Sequence, residues 1–271
     1  MHRILAIAGN TFRETVRDKI LYNLILFALV MIFSALALGQ LSLGNDNKVI
    51  VDLGLGAISI FGTMIAIFIG IGLVYKEIEK RTVYALLAKP VRRSELVVGK
   101  YLGLVFTLLV NLAVMTVGLE LALWYTGGAD PMSYLRVLAV VALTFLSLCL
   151  VTALALFFST FSTPALSALF TLFLWIIGHF GNDLRNFGEL TKSEAMQWLC
   201  RILYYVIPNF SNFQILDWRY VLQPSSENTW TIPYAQTVDP GMVAGVVFYC
   251  IVYVALALSL GIAIFRSRDF K

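Results

Sequence analysis

The side chains that most often carry catalysis are few in this chain, and they are spaced wrongly for it. The two histidines, His2 and His179, belong to no H-E-x-x-H helix, and no G-x-S-x-G turn or close Ser/His/Asp set accompanies them. A phosphate-binding G-x-x-x-x-G-K-[ST] loop wraps backbone amides around phosphate and follows its lysine with a hydroxyl. The nearest fragment, Gly99-Lys100, has Ser94 where the first glycine belongs and Tyr101 where Ser or Thr belongs. Neither direct nucleotide binding nor an enzymatic activity of its own is expected. Cys149 and Cys250 sit inside apolar runs and Cys200 falls in a polar loop. With no C-x-x-C or Cys/His spacing they read as three structural thiols, without metal or cofactor.

The elements that must hold these residues are set by composition. Of 271 residues, 59% are apolar and 13% charged, with a mean hydropathy of +0.83. A soluble domain is about half apolar and about a quarter charged, so most of this chain has lipid as its solvent. The net charge of +4 comes from basic residues clustered beside apolar runs, the pattern of membrane topology and not of nucleic-acid binding. Arg13, Glu14, Arg17, Asp18 and Lys19 interrupt the place where a cleaved signal keeps its apolar core.

Six stretches meet the roughly 20 apolar residues a crossing helix needs: 20–41, 53–75, 96–125, 134–160, 165–180 and 242–265. The fifth is the shortest, and a hairpin that turns back is its alternative. Fourteen Lys and Arg fall on one side of such a layout and six on the other. The positive-inside rule then puts both ends in the cytoplasm. Ahead of the first span, Ile4, Ala8, Phe12 and Val16 recur every four residues, giving an interfacial amphipathic helix over 1–19. Gly54, Gly56, Gly62, Gly70 and Gly72 predict close packing of the second span, in the middle of the bundle, at a subunit contact or within one chain. Glu120 and His179 lie at outer ends of spans and read as interfacial, while Asn111 lies deeper and can bond across helices. The external segment 181–241 carries a helix over 193–206, with Trp198, Leu199, Ile202, Leu203 and Val206 on one side, and many aromatics after it. Helices half-buried at the outer interface follow. The expected fold is an all-α integral membrane protein forming a single transmembrane domain.

The loop 76–95 stands out. It starts as a charged extension of the second span, with Glu77 and Glu79, and turns apolar through Val83, Leu86 and Leu87. Pro90 breaks helix at Lys89, and Ser94 and Glu95 offer an N-cap and a first-turn carboxylate to the next helix. A topology anchor needs the positive charge alone, not two glutamates, a leucine pair and a proline turn.

This loop resembles the first cytoplasmic loop of the ABC-2 family of ATP-driven transporter permeases. Glu77, Thr82, Leu86, Leu87, Pro90, Arg93, Gly99 and Lys100 fill the places of the family pattern, and Arg81 stands where members often have glycine. The 206–213 run, Val-Ile-Pro-Asn-Phe-Ser-Asn-Phe, is similar to a stretch seen between the last two spans of that family. Within it, the likeness is greatest to permeases of nitrous-oxide-reductase maturation transporters. The resemblance implies a permease in a bacterial inner (plasma) membrane, a homodimer of two chains working with separate ABC ATPase subunits that bind the ATP. It implies a coupling helix facing the ATPase through Glu77, Glu79, Arg81, Thr82, Leu86, Leu87, Pro90 and Arg93, with Arg92 and Arg93 also near lipid headgroups. Export is the usual direction. Two alternatives stay open: a non-transporting component that passes ATPase force to an envelope complex, and a secondary transporter, which would need more charge at mid-membrane.

Overall fold

The computed structural model describes residues 2–40, 46–79, 93–127, 130–191, 193–216, 218–222 and 240–267, and among these the regular structure is helical throughout. The order is α1 (His2–Val16), α2 (Lys19–Gln40), α3 (Asp46–Glu79), α4 (Arg93–Thr126), α5 (Pro131–Ser159), α6 (Pro164–His179), α7 (Gly181–Leu190), α8 (Glu194–Val206), a 3-10 turn (Phe210–Phe213), α9 (Trp218–Val221) and α10 (Pro240–Ser267). Five helices, α2, α3, α4, α5 and α10, are long and apolar enough to cross a membrane. The expected fifth stretch forms α6, whose 16 residues span about 24 Å at 1.5 Å per residue, less than the roughly 30 Å of hydrocarbon. Pro164 at its first turn and the break at Phe180 limit it.

The long helices outrun their apolar cores. Helix α3 starts at Asp46, where the first-turn carboxylate suits the positive helix end, and thus takes Asp52 inside the helix. Helix α5 starts at Pro131 after Asp130, because proline is pre-set for a first turn. Helix α4 already includes Arg93, so Ser94 lies within its first turn and not at the cap, while Glu95 is the first-turn carboxylate expected.

Buried residues of α2, α3, α4, α5 and α10 form the core, with α3, α4 and α5 at its centre. The glycines of α3 divide. A Cβ on Gly54 would strike the Leu119 side chain of α4, and on Gly62 and Gly70 it would stand 2.8 Å from Leu148 and Ala155 of α5. Packing within one chain therefore accounts for those three, whereas Gly56 and Gly72 meet nothing within 4 Å. Asn111 is buried on α4, and its Nδ2 bonds no neighbour among the described residues, so that nitrogen does not make the cross-helix bond open to it.

One expectation about the segment after α6 changes. Cys200 is not in a polar loop: it is buried on α8, which carries Ser193 at its N-cap. The apolar stripe of α8 also turns away from the bundle, with Trp198, Leu199, Ile202, Tyr205 and Val206 all exposed. Cys200, three residues from Gln197, is on the opposite, buried face because helical periodicity separates the two sets.

Candidate functional site

Of the residues that the family likeness assigns to the coupling loop, Glu77 and Glu79 occupy the last turn of α3 and Arg93 the first turn of α4. Arg81, Thr82, Leu86, Leu87 and Pro90 lie outside the described residues. Helices α3 and α4 pack against each other, so the two stems of the loop leave the same end of the bundle. That end is braced by α1. Gly99 and Gly103, one turn apart, form a G-x-x-x-G face on α4 on which α1 lies closely enough that a Cβ at Gly103 would be 2.6 Å from the Ala8 carbonyl oxygen. A Cβ at Gly99 would be 2.8 Å from Ile7 Cβ. The tight approach is what small residues permit, and Phe12 closes the contact edge-on to Phe106 at 4.7 Å. Gly99 thus has a packing reason of its own, beyond its place in the loop pattern.

At the other end the 206–213 run folds back into the bundle. Phe210, Phe213 and Asn209 are buried. Irregular backbone at such depth survives where its polar groups find partners. The Asn209 amide donates to Tyr249 Oη of α10 at 2.7 Å, and the Ser211 amide donates to Asn209 Oδ1 at 3.0 Å. Ser211 Oγ donates to the His179 carbonyl at 2.7 Å. His179 Nδ1 lies 2.8 Å from the Trp175 carbonyl, a contact that requires the proton on Nδ1 and leaves Nε2 with its lone pair. The imidazole stacks on Phe210 at 5.8 Å and 11° and meets Trp175 edge-on. Gly178 permits this clasp, because a Cβ there would run into the Pro208 carbonyl and the Phe210 ring. His179 is therefore a knot of the clasp, not only a residue at a span end.

Beneath the clasp lies a cavity of about 280 Å³ between α3, α5, α6 and the segment 213–216. Its polar lining is Asp52, Ser59, Thr144, Ser147, His179 and Gln214, with Leu55, Val140 and Phe213 as apolar wall. The sequence reading starts the second span at 53, one residue past Asp52, and does not foresee this site. A signal was present: Asp52, Gly56, Ser59 and Thr63 follow helical spacing on α3, as Val140, Thr144 and Ser147 do on α5. Seven residues separate Asp52 from Ser59, about 10 Å of axis, so the cavity reaches two turns down the bundle. Among the described residues no three His, Cys, Asp or Glu side chains gather as metal ligands would.

The family model for ABC-2 family transporter proteins matches residues 5–270. The chain belongs to the ABC-2 family. No curated protein matches it significantly. Membership and five apolar helices make this ABC-2 protein a multi-pass membrane protein, the permease part of an ABC transporter. Proteins of this ABC-2 family generally work with an ABC ATPase.

Proposed function

We propose that this chain is the permease subunit of an ATP-driven exporter, a homodimer that takes its power stroke from separate ATPase subunits at the loop 76–95. The observation that carries the reading is the match to the ABC-2 family over residues 5–270. The packing supports it: both stems of the loop belong to core helices, and α1 braces the same end through Gly99 and Gly103. A push on the loop is thus delivered to α3 and α4, two rigid rods of 34 residues each. Leu86 and Leu87 supply apolar surface and Glu77, Glu79 and Arg81 supply orientation, as interface cores and rims do. The likeness of the loop and the 206–213 run to nitrous-oxide-reductase maturation permeases is the ground for placing the chain near that branch.

The topology belongs to the same proposal. With five crossings the basic residues at and beyond the end of α10 (Arg266, Arg268 and Lys271) would lie opposite those of α1, against the positive-inside rule. We take α6 as a sixth, short crossing, with both chain ends in the cytoplasm of a bacterial cell. The clasp fills the depth α6 does not reach, and a short span is tolerated at fractions of a kcal/mol per Å. Helices α1, α7 and α8 then lie at the two interfaces. The outward aromatic face of α8 also favours a second reading, transmission of force to an envelope partner at that end.

The deciding experiment is co-purification of the tagged chain from its native membrane, with ATP hydrolysis assayed on the product. An ATPase subunit is expected in the eluate, with association lost when Leu86 and Leu87 both become Asp. A chain that emerges without an ATPase would return the reading to a secondary transporter or an anchor.

A further inference from the structure

We propose that the cavity between α3, α5 and α6 is a binding site for an ammonium group, carried by a lipid headgroup or by a free amine. Asp52 belongs to a helix apolar enough to cross a membrane, six residues after its start at Asp46. A carboxylate there is costly in hydrocarbon and is kept where it faces a cavity or meets an opposite charge. Asp52 is exposed and lines the cavity, and among the described lining residues none is Lys or Arg, so a ligand can supply the opposite charge.

The other polar atoms agree. Thr144 Oγ1 donates its proton to the Val140 carbonyl at 3.1 Å, and His179 spends Nδ1 on the Trp175 carbonyl. What Thr144 and His179 still offer is lone pairs, on Oγ1 and Nε2. Ser59, Ser147 and Gln214 can accept as well as donate, and with one carboxylate as the only charge among the described lining residues the site favours a cation rich in N–H donors over phosphate or carboxylate. Size narrows the class. A cavity of about 280 Å³ lies just below the roughly 300–1,000 Å³ of ordinary ligand pockets, room enough for a headgroup or a small amine. Gly56 adds room, since its Cα faces open space at the lining, and Phe213 makes part of the wall aromatic. The site follows from the bundle alone and holds whether or not an ATPase drives the chain.

The test uses the full-length chain in nanodiscs of phosphatidylglycerol, titrated calorimetrically with ethanolamine, with ethylene glycol as the uncharged control. In parallel, the chain is exchanged into mixed phosphatidylethanolamine and phosphatidylglycerol and its retained lipid read by native mass spectrometry. Saturable ethanolamine binding identifies a free amine as ligand; selective retention of phosphatidylethanolamine without it identifies a headgroup. In whichever arm responds, Asp52→Asn weakens binding about tenfold, the size of a hydrogen bond to a charged group, and Ser147→Ala about threefold. No binding in either arm, equal binding of ethylene glycol, or undiminished binding by a correctly assembled Asp52→Asn variant overturns the proposal. Should that variant fail to assemble, the comparison of ethanolamine with ethylene glycol, and of the two lipids, on the unaltered chain decides it.

Discussion

A Cβ on Gly103 would stand 2.6 Å from both the Ala8 carbonyl oxygen and the Thr11 Cβ. Backbone cannot rotate aside as a side chain can, so Gly103→Ala has to lift α1 from α4. Overpacking of this kind costs about 1–3 kcal/mol. Gly72 has nothing within 4 Å, and alanine there brings only its better helix propensity. The pair makes a matched test: Gly103→Ala lowers the melting temperature in detergent and speeds tryptic cleavage after Arg13 and Arg17, while Gly72→Ala does neither. Equal behaviour of the two variants would disconnect the G-x-x-x-G face from α1. Composition reveals that glycines abound here, but it cannot tell a crowded glycine from a free one, because that depends on which face each turns to a neighbour.

Helix α3 reaches Glu77 and Glu79 within the described residues. Two carboxylates one turn or less apart suit a basic groove on a partner. Reversing both charges, Glu77→Lys with Glu79→Lys, is expected to abolish ATPase association and leave membrane insertion unchanged, as read by co-purification and by alkaline extraction. Normal association of the double variant would remove these two residues from the coupling surface. The same helix shows where periodicity succeeds and where it misleads. The apolar run starting at Leu53 marks a span, yet the helix begins at Asp46, since polar residues with a first-turn carboxylate extend a helix that hydropathy alone would end. That extension is what carries Asp52 into the cavity wall.

At the scale of the whole molecule the open question is the side on which each end lies. Cysteine at position 192 is expected to react with an impermeant maleimide on intact cells, and cysteine at position 89 only after permeabilisation. The opposite pattern would invert the topology, and reaction of both from outside would deny α6 its crossing. Fourteen basic residues against six make the bias strong because the charges lie in the short segments that the insertion machinery reads.

Chemistry read along the chain was enough for the helical class, five of the six crossing stretches, the charge asymmetry, the family and the helix of α8. Each of these depends on neighbours within a few turns, where hydropathy and spacing act directly. The burial of Phe210, the bond from the Asn209 amide to Tyr249, and the cavity faced by Asp52, Ser147 and His179 were decided only by tertiary packing. They join residues far apart in sequence, on helices whose relative rotation no local pattern encodes. A polar stripe on α3 and another on α5 look like ordinary small-residue packing until the two are seen to share one space.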